Sequence, residues 1–406
     1  EKGPYDYSRS GNPTRDLLAA ALADLESGAG AVVTGSGMAA IALVGQLLPR
    51  GSRLIAPHDC YGGSFRLFSA WQRRGDLQVE FVDFGNDAAW RSALSTPADL
   101  VWVESPSNPL LRITDIRDVA RVAHAAGAKV AVDNTFLSPV LQQPLSLGAD
   151  LVVHSMTKYL NGHSDVISGA VVAATPEDAT QLAWWANALG MTGTAFDSFL
   201  VLRGLRTLHA RMAIHEQNAN ELASWLKTQP GVGRVLYPGL VDHPQHATAR
   251  AQQNGFGAIV TIELVGGLPA VEKFVGELQL FSLAESLGGV ESLVAHPATM
   301  THAAMDPAAR AAAGLTDGLL RLSVGIEAVN DLREDLAQAL TAAQLLLGGG
   351  IEVGGELGEG RQFVELGQFQ LQGAGNLLDG LGLGGTTHPA HRDAHVDGRA
   401  QTRVEQ

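Results

Sequence analysis

The residues of this chain best suited to chemistry lie in one stretch, Val152 to Gly169, VVHSMTKYLNGHSDVISG. An apolar, β-branched run breaks off at Ser155, Met156, Thr157 and Lys158, and a turn containing Gly162 and His163 leads into a second apolar run. A lysine at such a strand end is partly desolvated, which lowers its pKa and frees the amine to form an imine with an aldehyde. Pyridoxal phosphate is the aldehyde that fits this use. Most lysines are solvated surface charges, so the reading depends on what else the chain carries.

Four further features complete a set. Asp133 closes the run KVAVD one strand before Lys158, where an acid can keep the pyridine nitrogen of the cofactor protonated and make the ring an electron sink. The turn GSGM, ending in Gly37 and Met38, puts backbone N–H groups at a helix N-terminus. It reads either as a phosphate site, completed by the hydroxyls of Ser155 and Thr157, or as a plain tight turn. In LIAPHDCYGGSFRLF the loop after the apolar run carries His58, Asp59, Tyr61 and Arg66, with Tyr61 placed to cover the ring and act as a base on the incoming amine. Arg321 sits inside the apolar run LLRLSVGIE, where a buried guanidinium needs an anion. A substrate carboxylate and a structural Asp or Glu are both open as that anion.

The elements that must position these groups follow from periodicity. Thr14 is placed to cap a helix over RDLLAAALADLES that Gly28 terminates, and Ala31–Leu48 reads as strand, turn and helix. Strand candidates at LQVEFVDF, DLVWVESPSNP and KVAVDNTF alternate with helical stretches such as IRDVARVAHAAGA. That alternation predicts an α/β fold with a mostly parallel sheet and helices on both faces, which brings Asn108, Asp133 and Lys158 to one sheet edge. From about Phe199 the pattern is helical, and shorter strands after Gly231 imply a smaller C-terminal α/β domain. The stretch from Leu283 in that part adds hydroxyls and Glu285.

Composition excludes several classes. The chain has 406 residues, 46% of them hydrophobic, a net charge of −14 and no run of basic residues, so nucleic acid is not an expected partner. Cys60 is its single cysteine and reads as a buried, inert thiol, which leaves no internal disulfide and fits a cytoplasmic protein. No apolar run is long enough for a bilayer span, so no membrane association is expected and no metal site is indicated. Beyond Leu346 the sequence is glycine-heavy without period and reads as a disordered tail.

The motifs YSRSGNPTR, GSGMAAI, HDCYGG, ESPSNP, VDNTF, SMTKYLNGHSD, ESLGGVESL and MTHA resemble, in type and order, the transsulfuration (Cys/Met metabolism) family of pyridoxal phosphate enzymes. The resemblance runs from Tyr5 to about Leu346. It implies the aspartate aminotransferase-like transferase fold, fold type I, with an arm over residues 1–15, a cofactor-binding domain over 16–215, a C-terminal domain over 216–346 and the tail over 347–406. It further implies a homotetramer of two dimers in which Tyr7 and Arg9 reach the cofactor phosphate of the neighbouring subunit. Arg321, Ser286 and Asn108 are implied to hold the substrate α-carboxylate, and Glu285 and Arg66 to meet its distal end. The family carries a segment ahead of the YSR motif that is missing here, and the tail matches none of its pattern.

The activity the resemblance implies is γ-replacement on O-succinyl- or O-acetyl-L-homoserine by L-cysteine, giving L-cystathionine for methionine biosynthesis. γ-Elimination from cystathionine by the same residues is the alternative. Gly63 stands two places after Tyr61 where family members acting on methionine have a cysteine, and Glu285 stands where the β-eliminating members have an aromatic. A non-catalytic sensing module on the same fold is the reading from another class, and the joint presence of Lys158, Asp133, Tyr61 and Arg321 weighs against it.

Overall fold

The computed structural model describes residues 5–300, 310 and 313–348. The glycine-rich stretch from 349 onward, read above as a disordered tail, lies outside the described residues.

The chain enters helix α1 (Pro13–Glu26) through Asn12, whose side chain accepts from the N–H groups of Thr14 and Arg15. Asn12 is therefore the cap and Thr14 lies inside the first turn, because Pro13 has no N–H to satisfy and its fixed φ suits the first helical position. The helix ends at Ser27 in the left-handed region, φ 58°, with the Gly28 N–H returning to the Ala23 carbonyl.

Seven strands follow in the first sheet: β1 (Gly30–Thr34), β2 (Arg53–Pro57), β3 (Gln78–Val82), β4 (Leu100–Glu104), β5 (Lys129–Asp133), β6 (Leu151–Ser155) and β7 (Gly169–Ala173). Their spatial order is β1-β7-β6-β5-β4-β2-β3, with β7 antiparallel to both of its neighbours and the rest parallel. Strand alternation splits the side chains into two layers. Leu54, Leu100, Trp102, Ala131 and Val153 pack under α2 (Gly37–Gly45), α3 (Gly62–Arg74) and α7 (Pro176–Leu189). Ile55, Val101, Val103, Val130 and Val132 pack under α4 (Asp87–Ala93) and α5 (Ile116–Ala125). In α5 the buried residues Ile116, Val119, Ala120 and Ala123 have helical spacing, and Asp115 caps its start.

The short α6 (Ser138–Leu141) lies between β5 and β6, and after α8 (Ala195–Leu205) helix α9 (Leu208–Leu226) leads to a second sheet. It contains β8 (Val232–Leu236), β9 (Ile259–Leu264), β10 (Ser282–Leu283), β11 (Leu293–Ala295) and β12 (Leu319–Ser323), in the order β10-β11-β12-β9-β8. The helices α10 (His246–Gln252), α11 (Gly267–Glu277) and α12 (Val329–Gly348) accompany it. One apolar cluster runs from Val33 and Val152 of the first sheet through Met212 and Leu222 of α9 to Val260, Ile262 and Leu322 of the second. The place where the sequence suggests a division, between 215 and 216, falls inside unbroken α9. No helix among the described residues is long and apolar enough to cross a membrane.

Candidate active site

The parallel strands β2, β4, β5 and β6 all end toward one cavity of about 500 Å³, closed on the far side by residues from the second sheet. Every candidate residue named above lines it except Tyr7, Arg9 and the loop residues His58 and Asp59, the second of which is paired with Arg112. Tyr7 is 59% exposed. The Arg9 guanidinium lies 5.2 Å from the Tyr7 ring and donates to the carbonyl and side-chain oxygens of Asn187 at 2.6 and 2.7 Å, away from the cavity of its own chain.

Lys158 lies in the turn just after β6, whose last residue is Ser155. Its Nζ donates to Ser286 Oγ at 2.7 Å, across from the second sheet. Burial pushes the ammonium down to about 8, the nearby Arg321 charge adds to that, and Glu285 works against both. Asp133 ends β5, and its Oδ1 accepts from the Thr135 N–H at 3.0 Å. Burial pushes its carboxyl up, while the Thr135 hydrogen bonds and His154 draw it down.

Ser36 caps α2 by accepting from Ala39 N–H at 3.1 Å. The first two N–H groups of the helix, on Gly37 and Met38, have no acceptor among the described residues, and both residues line the cavity with Ser155 and Thr157. A Cβ on Gly37 would come within 2.9 Å of Ser155 Cβ, so the helix start can rest on the strand end only without a side chain. A helix N-terminus, two hydroxyls and free N–H groups make a cradle for a phosphate. Thr157 Oγ1 is also tied to Ser168, accepting from its N–H at 3.2 Å.

Arg321 lines the same cavity. It is 2% exposed, and among the described residues no carboxylate pairs with it. Its Nη1 donates to Asn108 Oδ1 at 3.0 Å and its Nη2 to the carbonyls of Glu285 and Ser286, each at 2.9 Å, while Nε is buried without a partner. Burial lowers the guanidinium to about 10. A cation held only by neutral oxygens at the edge of a cavity fits an anion brought by a ligand.

Glu104 is the residue that sequence reasoning missed. It ends β4 in register with Asp133, lines the cavity, and accepts from Tyr61 N–H at 2.8 Å and from Trp102 Nε1 at 3.0 Å. Burial, then the Asp133 charge, push its carboxyl up to about 8. The signal was present in ESPSNP: a glutamate closing a fully apolar strand has no solvent to face. It fixes the start of α3 and with it Tyr61, whose ring has room because Gly63 has no Cβ; one would meet the ring at 2.5 Å.

The cavity therefore joins an amine whose ammonium is lowered to about 8, an acid at a strand end, an anion cradle and a buried cation hydrogen-bonded to neutral oxygens. These residues fit pyridoxal phosphate and the carboxylate of an amino acid.

Comparison with known proteins agrees. The sequence model of the family described as Cys/Met metabolism PLP-dependent enzyme matches residues 1–341. A cystathionine gamma-synthase of Escherichia coli K12 is 56% identical over 344 residues, which is 84% of this chain and 89% of that enzyme. A cystathionine beta-lyase of Coxiella burnetii is 50% identical over 338 residues, 83% of this chain and 87% of that enzyme. Among solved structures, cystathionine gamma synthase from Xanthomonas oryzae pv. oryzae, in complex with aminoacrylate and cysteine, superposes with a TM-score of 0.83 at 57% identity, covering 84% of this chain and 89% of that one.

Proposed function

The chain belongs to the Cys/Met metabolism family of pyridoxal phosphate-dependent enzymes, and from that premise we propose that it is a cystathionine γ-synthase. The reaction is replacement of the γ-acyloxy group of O-succinyl- or O-acetyl-L-homoserine by the thiol of L-cysteine, yielding L-cystathionine and the free carboxylic acid. The observation that carries an α-amino-acid substrate is Arg321, buried, without a carboxylate ion pair among the described residues and facing Lys158 across one cavity. Likeness to the two synthases above supports the choice of reaction.

When bound, pyridoxal phosphate supplies an electron sink conjugated to the substrate α-carbon. The Gly37 and Met38 N–H groups and the Ser155 and Thr157 hydroxyls would hold its phosphate. Asp133 would pair with the ring nitrogen, and Tyr61 would lie over the ring and take a proton from the incoming amino group. Lys158 would be the residue that holds the cofactor through its aldehyde carbon and, as a free amine beside the substrate, would take the Cα proton, release it, and then take a proton from Cβ. Arg321, with Asn108 and Ser286, orients the α-carboxylate so that the Cα proton faces Lys158. Glu285 and Arg66 meet the distal end, where the acyloxy group leaves Cγ with its bonding electrons as a carboxylate. The cysteine sulfur then bonds to Cγ as its S–H bond breaks, the thiol proton leaving to water to balance the departed carboxylate, and Lys158 returns protons to Cβ and Cα. Tyr7 and Arg9 would complete the phosphate site of a neighbouring subunit in a homotetramer working in the cytoplasm, in methionine biosynthesis.

A second reading, a cystathionine lyase, is favoured by the 50% identity to the Coxiella enzyme, whose name is that of the β-eliminating type that Glu285 was read to disfavour. The test is a product assay on the purified holoenzyme. O-Succinylhomoserine plus cysteine should give cystathionine as the main product. If cystathionine alone is cleaved faster than it is made, the lyase reading replaces this one, with 2-oxobutyrate marking γ-elimination and pyruvate marking β-elimination.

A further inference from the structure

Behind the cavity lies a second set of polar side chains, on the opposite face of the same strand ends. Strand alternation turns Val153 and Ser155 toward the cavity and His154 away from it. His154 Nε2 lies 2.6 Å from Glu26 Oε1 at the end of α1, and both residues are fully buried. The same Glu26 oxygen accepts from Asn134 Nδ2 at 2.9 Å, and Asn134 directly follows Asp133. Asn134 Nδ2 also donates to the Gln142 carbonyl at 2.8 Å, and Gln142 Nε2 donates to the carbonyl of Ser105, which follows Glu104, at 2.8 Å. One buried carboxylate thus ties together the ends of β4, β5 and β6, the strands that carry Glu104, Asp133 and Ser155.

Stability alone is a poor reason for this arrangement. Removing a carboxylate from water costs several kcal/mol, and apolar replacements of buried charged pairs are often neutral or stabilising. Nor is the belt closed on itself, since Glu26 Oε2 and His154 Nδ1 are buried and make no hydrogen bond to the described residues. His154 does have an electrostatic target: it draws the Asp133 carboxyl toward its ionised form against the push of burial.

We propose that Glu26 and His154 are positioning residues for Asp133, fixing its strand end from behind and keeping its carboxylate ready for the ring nitrogen of the cofactor. The proposal rests on the reading that Asp133 pairs with that nitrogen. It is tested by Glu26→Gln, which keeps an acceptor oxygen for His154 and Asn134 and removes the charge. Titration of the apoenzyme with pyridoxal phosphate should show affinity weakened on the order of tenfold, a coupling typical of groups in one network. The turnover number per bound cofactor should fall as well, with KM for the amino-acid substrates unchanged.

The cycle with Asp133→Asn separates the possible failures. In the Asp133→Asn background Glu26→Gln should no longer change cofactor affinity; an equal change there shows that Glu26 acts elsewhere and overturns the proposal. A Glu26→Gln enzyme with lowered thermal midpoint but unchanged affinity and turnover also overturns it, leaving only a structural belt. Normal cofactor affinity and turnover in Asp133→Asn alone would instead refute the assignment of Asp133. If Glu26→Gln does not fold, the nitrogen resonances of His154 in imidazole-labelled wild-type apoenzyme decide the matter. They should shift when pyridoxal phosphate is added, and unshifted resonances overturn the proposal.

Discussion

Lys158 has an ordinary ammonium value of 10.5 brought down to about 8, chiefly by burial. The free amine is the form that attacks an aldehyde, so the rate at which apoenzyme takes up pyridoxal phosphate should rise through pH 8 and level off well below 10.5. Stopped-flow absorbance across that range checks it, and a rise still continuing at pH 10 would contradict the assigned environment. Lys158→Ala should abolish turnover while leaving a folded chain that still retains some cofactor at the phosphate cradle. Glu104 titrates in the opposite sense. Its carboxyl value is raised from 4.5 to about 8 by burial and by Asp133, so its contribution to stability is complete below about 4.5 and is lost as pH rises to about 8. The thermal midpoint of the apoenzyme should therefore fall across that window, and Glu104→Gln should flatten the fall. An unchanged slope in the variant would show that Glu104 is not the group responsible.

At the scale of elements, the helix that offers the phosphate cradle is placed by two glycines, Gly37 at its own start and Gly169 on β7. A Cβ on Gly169 of β7 would lie 2.2 Å from the Ser36 carbonyl oxygen and 2.7 Å from Gly37 N. Backbone cannot yield as a side chain does, so Gly169→Ala must push the start of α2 off the strand end. We expect a loss of about 1–3 kcal/mol in stability, the usual range for overpacking, together with weaker pyridoxal phosphate binding. Asn12→Ala is the contrasting case. It removes a helix cap that has no part in the cavity and should cost about 1 kcal/mol with cofactor affinity unchanged. Equal effects of the two on cofactor binding, measured by apoenzyme titration, would show that the cradle does not depend on the placement of α2.

At the scale of the whole molecule, the cavity is built from strand ends of the first sheet and loops of the second, and α9 and a shared apolar cluster join the two. Tyr7 and Arg9 stand apart from that cavity. If they serve a neighbouring subunit, sites are shared between chains and inactive partners can complement each other. An Arg9→Ala chain and a Lys158→Ala chain, each poorly active alone, should recover measurable activity when refolded together, because some hybrid sites then hold both intact residues. Activity no higher than the sum of the separate preparations would assign the arm to its own subunit or to no site.

Local sequence determined a good part of this protein. Alternation of strands and helices marks the first sheet, because each element's period reflects which of its faces meets the core, and Asp133, Lys158 and the GSGM turn were legible as strand and helix ends for the same reason. What no local pattern carries is which distant groups meet. That Arg321 has two backbone carbonyls and Asn108 as hydrogen-bond acceptors, and no ion pair among the described residues, depends on a loop and a strand some two hundred residues apart. Glu104 gained its role only when β4 and β5 aligned it with Asp133, and Glu26 reads in sequence as an ordinary helix-end carboxylate until α1 packs it against His154. The cap of α1 lies two residues before the expected Thr14, since Thr14 and Asn12 are both good caps and only the backbone conformation at Asn12, extended at φ −150°, selects between them. Burial is a property of the packed chain, and charge, hydrogen bonding and proton affinity at this site all follow from it.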